Sequence, residues 1–194
     1  MGDDGFVEAA TRLFSALGYD GVTVAMLAEA AGVAEADVAR RGGKAGVYAE
    51  VMDRVRDLQV ELVEEMGTTL TPDLVGLHDM VDMFLDFYVA HPEAITLWQH
   101  RGLADAVDIP DVERDYGSPV IQGIYRLLVR AGVGPRARFA LHNFLGWSFH
   151  SFLTLGIFHS DGTTSDWRDP AARARFRQET HDLIDVLGTL DSPS

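Results

Sequence analysis

Three polar side chains and one large aromatic ring recur at helical spacing within FALHNFLGWSFHSFLTLGIF, residues 139–158. Asn143, Trp147, His150 and Thr154 follow one another at steps of four, three and four, so a helix places them on one face. Amide, indole and imidazole groups in an apolar site can orient a small molecule by hydrogen bonds. The same stripe could instead be hydrogen-bonded in the core or across a dimer interface, with Gly146 allowing two helices to approach closely. The sequence does not orient the helix.

Aromatic residues elsewhere in the chain could form the walls of such a small-molecule site. Sites of this kind combine apolar, mainly aromatic walls with a few convergent polar groups. The residues that we predict to line it are Phe84, Phe87, Tyr88, Trp98, Tyr125, Asn143, Trp147, His150 and Phe152.

Patterns that would indicate catalysis or metal binding are scarce. The chain has no Cys, which excludes disulfides, thiolate zinc sites and cysteine nucleophiles. The segment GWSFH at residues 146–150 lacks the second glycine of a nucleophile elbow, and no spacing singles out an acid/base pair of carboxylates. His100 and His142 fit core or surface positions better than a metal site. We therefore predict no enzymatic activity, no cofactor and no metal.

Length and charge limit the class of protein. With 194 residues and a formal net charge of −14, the chain can bury a substantial core and repels polyanions, so any contact with DNA has to be local. The uncharged run 139–158 has the length of a membrane span, but its polar side chains would lack partners in lipid. We expect a helix buried on all sides instead, partly by a second subunit. The N-terminus lacks the pattern of a secretory signal, and we expect a cytoplasmic protein.

Prolines and apolar periodicity define the elements that position these residues. Proline is tolerated in the first turn of a helix, and six prolines mark predicted helix starts: Pro72, Pro92, Pro110, Pro119, Pro135 and Pro170. Between them apolar residues recur at steps of three and four, and no strand-like alternation persists. The prediction is an all-α fold with about nine helices.

The first 44 residues have a finer pattern. An opening helix ends at Gly18, Thr23 caps a short second helix, a tight turn follows at Gly32, and a third helix can run from about Ala34 to Arg41. Two short helices joined by a glycine-containing turn are typical of a helix-turn-helix. We predict a three-helix domain at residues 1–44 and a larger helical domain at residues 45–194.

The run FVEAATRLFSALGYDGVTVAMLAEAAGVAEADVARRGGKAGVYAEVM resembles the N-terminal domain of the TetR family of bacterial transcriptional regulators. The landmarks are Phe14, Gly18, Tyr19, Thr23, Ala31, Gly32, Val33 and Lys44. The resemblance implies a DNA-binding head, a helical effector-binding domain, and a homodimer through the last two long helices, here 135–158 and 170–190. Carried onto this chain, the DNA-binding positions are Thr23, Ala34, Glu35, Asp37, Arg40, Arg41 and Lys44.

The recognition helix departs from the family pattern. Ala39 stands where a phosphate-contacting Tyr is usual, Gly42 where a packed Phe is usual, and Lys44, the only lysine, comes one residue early. Residues 1–66 hold six Lys and Arg against thirteen Asp and Glu, the wrong sign for a surface that follows phosphates. Glu35 and Asp37 either suit the helix dipole or repel DNA.

The basic residues at the end of the recognition helix also have two interpretations. Arg40 and Arg41 either reach guanine edges or phosphates, or form a solvated helix end.

Two functions are therefore predicted as alternatives. The first is a dimeric regulator, a repressor, that binds operator DNA and releases it when a small apolar or aromatic effector shifts the helices that follow Lys44. The second is a TetR-like helical dimer with a degenerate DNA-reading head that binds a ligand or a partner, or has a repurposed catalytic pocket.

Overall fold

The computed structural model describes residues 3–188 and is helical almost throughout. Within these residues lie nine α-helices, one π-helical turn and one short hairpin, which confirms the all-α prediction. The elements are α1 Asp3–Gly21, α2 Val24–Ala31, α3 Glu35–Arg40, α4 Gly43–Thr69, α5 Leu74–Ala90, α6 Pro92–Gly102, the π-helical turn Glu113–Gly117, α7 Ser118–Arg130, α8 Pro135–Leu155, β1 Ile157–Phe158, β2 Thr164–Ser165 and α9 Pro170–Gly188.

Prolines mark most, but not all, of the helix starts. Helices α6, α8 and α9 begin at a proline as predicted, and α7 begins one residue before Pro119. Helix α5 begins at Leu74, where the carboxylate of Asp73 accepts the N–H of Gly76 at 3.0 Å. The predicted helix start at Pro110 is wrong, because the next residue, Asp111, has a φ of 62° that interrupts a right-handed helix.

Helix α8 ends at Leu155 and a small hairpin follows it. Gly156 has φ 71° and ψ −151°, and a Cβ at this position would overlap the carbonyl oxygen of Ser165. The two strands pair antiparallel, with Ile157 opposite Ser165. The predicted continuation of the helix to about Phe158 is wrong, because this glycine turns the chain back on itself.

The described residues pack as two compact units, and the divisions along the chain fall inside α4, at the start of α6 and inside α7. The first unit comprises the described part of Met1–Val60 together with Glu93–Val120, and the second comprises Glu61–Pro92 with the described part of Ile121–Ser194. Phe14, Tyr48 and Met52 lie fully buried in the first unit. In the second unit α9 packs along α5 and α8, over a core that includes Leu85 and Ile184. The functional division at residue 44 stays a prediction.

Helix α8 has an exposed apolar face within the single chain. Phe139 is 66%, Phe144 48%, Trp147 63% and Leu155 54% exposed, so the expectation of burial on all sides does not hold for one chain alone. No helix among residues 3–188 is long and apolar enough to span a bilayer.

Candidate functional site

The turn between α2 and α3 is built by two local signals. The Thr23 hydroxyl accepts the N–H of Met26 at 3.2 Å, which confirms the predicted cap of α2. Gly32 ends this helix in the left-handed conformation (φ 62°, ψ 37°), and the N–H of Val33 donates to the carbonyl of Ala28 at 2.9 Å. These bonds fix the angle at which α3 leaves α2.

Helix α3, the candidate recognition helix, is only six residues long and is anchored by Val38, which is fully buried. The carboxylate of Asp37 accepts the N–H of Ala34 at 3.0 Å and also pairs with Arg40. Asp37 therefore completes the first turn of α3, as its helix-dipole interpretation requires. The residues of α3 that are exposed to solvent are one acid, two alanines and one arginine: Glu35, Ala36, Ala39 and Arg40.

Arg41 is held by acidic partners and is not a freely solvated helix end. Its guanidinium pairs with Asp3 of α1 and with Glu50 of α4, and it lies 4.3 Å from the centre of the Phe6 ring. Its side chain is 24% exposed. Arg41 therefore joins the end of α3 to both neighbouring helices of the head.

Lys44, at the start of α4, is oriented by Tyr19. The Nζ atom donates to the Tyr19 carbonyl at 3.0 Å and lies 4.0 Å from the centre of the same ring. Lys44 is only partly exposed, and this double contact fixes the direction of its ammonium group.

Tyr48, in α4, packs against the aromatic residues of α1. The centre of its ring lies 5.2 Å from that of Phe14 and 5.0 Å from that of Tyr19. Burial raises the pKa of Tyr48 to about 12. Its buried hydroxyl has no hydrogen-bond partner among the described residues. Tyr48 therefore acts in the head as a neutral packing residue.

Acidic groups already neutralise most of the basic side chains in residues 1–66, which comprise the three-helix head and most of α4. Of the six Lys and Arg in residues 1–66, four form ion pairs with nearby carboxylates: Arg12 with Glu8, Arg40 with Asp37, Arg41 with Asp3 and Glu50, and Arg56 with Asp53 and Asp57. A phosphate that approaches Arg40 or Arg41 has to compete with these carboxylates.

Four residues of the predicted small-molecule site belong to one aromatic network in the second unit. Phe84 and Tyr88 lie 6.5 and 5.7 Å from Phe149, and Phe152 stacks on Phe176 at 4.2 Å. Phe87 contacts Tyr88 at 5.3 Å, and Phe149 contacts Phe176 at 5.3 Å, both measured between ring centres. Phe149 and Phe176 were not among the predicted site residues, although the three-residue step from Phe149 to Phe152 already indicates a shared helix face.

The remaining predicted site residues lie elsewhere. Tyr125 contacts His142 at 5.3 Å between ring centres and borders an open groove of about 680 Å³ along α7. Trp98 belongs to the first unit, where a Cβ on Gly117 would lie 3.3 Å from its ring.

The polar stripe of α8 lies on the same side of the helix as its exposed apolar side chains, since Trp147 belongs to both sets. The Asn143 amide donates to the carbonyl of Phe139 in the preceding turn at 2.8 Å, and Trp147 packs edge-on against Phe144 at 5.4 Å between ring centres. His150 is half-buried, and burial lowers its pKa. Within residues 3–188 no three His, Asp or Glu side chains converge in a way that could hold a metal ion. That these residues line an effector site stays a prediction.

Comparison with known protein families gives one match, which lies in the N-terminal part of the chain. Residues 6–41 match the sequence profile of the bacterial regulatory proteins of the tetR family. No curated protein sequence matches the chain.

Solved structures share the fold along nearly the whole chain. A Mesorhizobium loti protein assigned to the TetR-family transcriptional regulators is 18% identical with a TM-score of 0.67, over 95% of this chain and 94% of that one. The fatty acid degradation regulator FadR from Bacillus halodurans is 17% identical with a TM-score of 0.65, over 96% and 98%. The TetR-family regulator PfmR from Thermus thermophilus is 19% identical with a TM-score of 0.60, over 92% and 96%. The N-terminal residues 6–41 are therefore similar in sequence to the tetR family, and the chain shares the fold of these solved regulators along its length.

Proposed function

We propose that the protein is a homodimeric transcriptional repressor whose two heads bind operator DNA and whose affinity for DNA falls when a small apolar or aromatic effector binds. The observation that carries this proposal is the pairing of a capped helix-turn-helix in the head with an exposed, uncharged apolar face on α8. A dimer presents two copies of α3, one to each of two successive major grooves, whereas a single chain presents only one.

The exposed face of α8 is the surface that we assign to the dimer. Its apolar side chains are half to two-thirds exposed, and Val186 adds a 62% exposed apolar side chain on the neighbouring α9. No charged side chain lies between Arg138 and the end of α8. Several large apolar side chains that are exposed on one helix indicate an interface. We assign this surface to a second copy of the chain. In a twofold-symmetric dimer the same apolar face of α8 is used by both subunits, so each face covers the other.

The dimer is tested by sedimentation velocity at micromolar concentration. We expect a stable dimer in the native protein and monomers in Trp147→Asp, since a charge at the centre of an apolar interface is left unpaired. Val107→Asp is the matched control, because Val107 is 68% exposed but lies in the loop between α6 and the π-helical turn. A monomeric native protein, or equal loss of dimer in both variants, would contradict the assignment.

The DNA-binding activity is tested by fluorescence anisotropy on DNA that flanks the protein's own gene. The electrostatic part of binding is strongest at low salt, so the titration starts there and proceeds to moderate salt. Saturable binding that prefers this DNA over a scrambled duplex supports the repressor. A folded, ligand-free dimer that binds neither duplex at low salt would overturn it.

The effector is proposed to enter the second unit beside its aromatic network. Phe87 and Tyr88 are only partly buried, so their rings combine an apolar surface with access from outside. A ligand bound there stabilises the folded protein by mass action. Apolar ligands should therefore raise the melting temperature of the native protein and lower its DNA affinity, and Tyr88→Leu should reduce both effects. A ligand that stabilises both proteins equally would place the site elsewhere.

The ion pairs of the head favour a second candidate function. Because Arg40 and Arg41 already have carboxylate partners, the head could have lost DNA binding while the helical dimer keeps its ligand or partner. Absence of DNA binding together with retained ligand binding would select this alternative.

A further inference from the structure

The last turn of α1 is separated from the rest of the helix by a break at Gly18. Gly18 has φ 71° and ψ 169°, a conformation that is essentially restricted to glycine. The N–H groups that follow the break start a new turn and need acceptors from outside it. One carboxylate supplies both acceptors: Asp105 Oδ2 accepts the N–H of Tyr19 at 2.7 Å, and Oδ1 accepts the N–H of Asp20 at 2.8 Å. Such charge-assisted bonds are about twice as strong as neutral ones.

Asp105 belongs to the loop 103–112, whose start is held by the end of α6. Arg101 Nη1 donates to the carbonyl oxygen of Asp105 at 3.2 Å, and Arg101 Nε donates to Glu113 at 2.7 Å. The Arg101 side chain is only 14% exposed. One residue earlier, His100 Nε2 lies 3.0 Å from the carbonyl oxygen of Ser15 in α1. The end of α6 therefore determines where the Asp105 carboxylate lies.

Tyr19 passes this constraint on to the start of α4. Its N–H is bound by Asp105, and its carbonyl accepts the ammonium of Lys44 at 3.0 Å. Its ring lies under the same ammonium at 4.0 Å and packs against Phe14 and Tyr48. A continuous series of contacts therefore runs from the loop after α6 to the only lysine of the chain, within one compact unit.

We propose that Asp105 is a positioning residue for DNA binding: by holding the backbone of Tyr19, it directs the Lys44 ammonium toward the DNA phosphate. The proposal rests on the proposed function, since it requires that Lys44 contact DNA. It assigns a role in DNA binding to a residue 86 positions after Tyr19, outside the helix-turn-helix. A displacement of loop 103–112 would release Tyr19 and leave Lys44 without a fixed direction, which lowers DNA affinity without any change in α3.

The position of the Lys44 side chain over the Tyr19 ring can be measured without DNA, because Lys44 is the only lysine of the chain. Protein labelled with ¹³C at the lysine Cε gives one lysine signal, and protons above an aromatic ring face are shifted upfield. In the native protein we expect this signal to be displaced upfield by the Tyr19 ring. In Asp105→Ala it should move toward the position of free lysine, and in Asp105→Asn, which keeps one acceptor oxygen, it should move less.

Asp108→Asn is the matched control for charge. Asp108 is exposed, and its negative charge contributes, after burial, to raising the pKa of Tyr19. Because no described hydrogen bond joins it to the Tyr19 backbone, its removal should leave the lysine signal in place. An unchanged lysine signal in Asp105→Ala would overturn the proposal. If Asp105→Ala does not fold, Asp105→Asn carries the test, and an unshifted signal in that variant overturns the proposal equally.

The same variants then report on DNA. Asp105→Ala should weaken binding to all sequences alike and reduce the slope of log affinity against log salt by about 2 per dimer, as loss of two phosphate contacts requires. In Lys44→Ala the further change Asp105→Ala should have no additional effect on the slope. Absence of DNA binding by the native protein would overturn the proposed function, whereas native-like DNA binding by Asp105→Ala with a shifted lysine signal would overturn this inference alone.

Discussion

Substitution of the single lysine tests the proposed contact between the head and DNA. Lys44 has no carboxylate partner among the described ion pairs and is already oriented by the Tyr19 carbonyl and ring. Lys44→Ala removes one cation per subunit and leaves the exposed residues of α3 untouched. Because a phosphate contact positions the protein without reading bases, the variant should bind specific and scrambled DNA more weakly by the same factor.

The magnitude follows from the cations that the head can offer. Lys44, Arg40 and Arg41 of two subunits neutralise about six phosphates, which gives a slope of log affinity against log salt of about −5. If Arg41 stays with Asp3 and Glu50, about four contacts remain and the slope is about −4. Lys44→Ala should make either slope shallower by about 2, since two contacts are lost.

The assay is fluorescence anisotropy with specific and scrambled duplexes at several salt concentrations. Lys44→Arg is the control, because it keeps the charge and should keep the slope. A slope that does not change in Lys44→Ala would show that the ammonium does not contact phosphate. A loss confined to the specific duplex would show that it reads bases instead, and either result refutes the reasoning.

Three further predictions concern stability. Gly18→Ala should destabilise the protein by about 1 to 3 kcal/mol, because alanine is strained in this conformation and its Cβ would meet Asp105 Oδ1 at 3.0 Å; an unchanged urea midpoint would contradict this. Thr23→Ala should cost about 1 kcal/mol through loss of the α2 cap, and thermal unfolding without a decrease in stability would argue against the cap. Tyr48 has a folded-state pKa of about 12 against an ordinary value of 10.0, so its contribution to stability is complete below pH 10 and is lost as the pH rises toward 12. Tyr48→Phe should remove this alkaline loss, and melting curves from pH 9 to 11 would refute the assignment if both proteins lose stability in parallel.

The features of the head that were predictable are those with a local cause. The Thr23 cap, the left-handed turn at Gly32 and the end of the regular part of α1 at Gly18 each depend on one residue type and its near neighbours. Residue chemistry at these positions is visible in the sequence, and the structure places each one as predicted.

Contacts between distant segments were not predictable. Nothing in the spacing of Asp105 or Arg101 indicates that they complete a helix break near the N-terminus, because the hydrogen-bond partners lie 86 and 85 residues away from Asp105 along the chain. The ion pairs of Arg41 have the same character. Residue composition showed that the head is acidic, but it did not show which cations are already paired.

Helical periodicity identifies faces but not what covers them. It placed Asn143, Trp147 and His150 on one stripe, yet pocket and interface require the same periodicity. Only the folded chain distinguishes the members of that stripe. In it Trp147 is exposed, whereas the Asn143 side chain donates a hydrogen bond to its own helix. Phe149 completes the aromatic network because two other helices, α5 and α9, bring rings to it, an arrangement that needs tertiary structure.

The paired cations of the head make the proposed dimer decisive for DNA binding. A single head offers Lys44 and, at the expense of existing ion pairs, Arg40 and Arg41, so its affinity for DNA should be low. Linking two heads makes the second binding event intramolecular, which can raise overall affinity by about 10² to 10⁴ without any new contact. The gain exists only while the interface on α8 holds the two heads at the spacing of successive major grooves. A head with many free cations would tolerate a loosened interface. In this protein, Trp147→Asp should therefore weaken DNA binding by about 10² to 10⁴, measured by fluorescence anisotropy, even though it leaves the head unchanged.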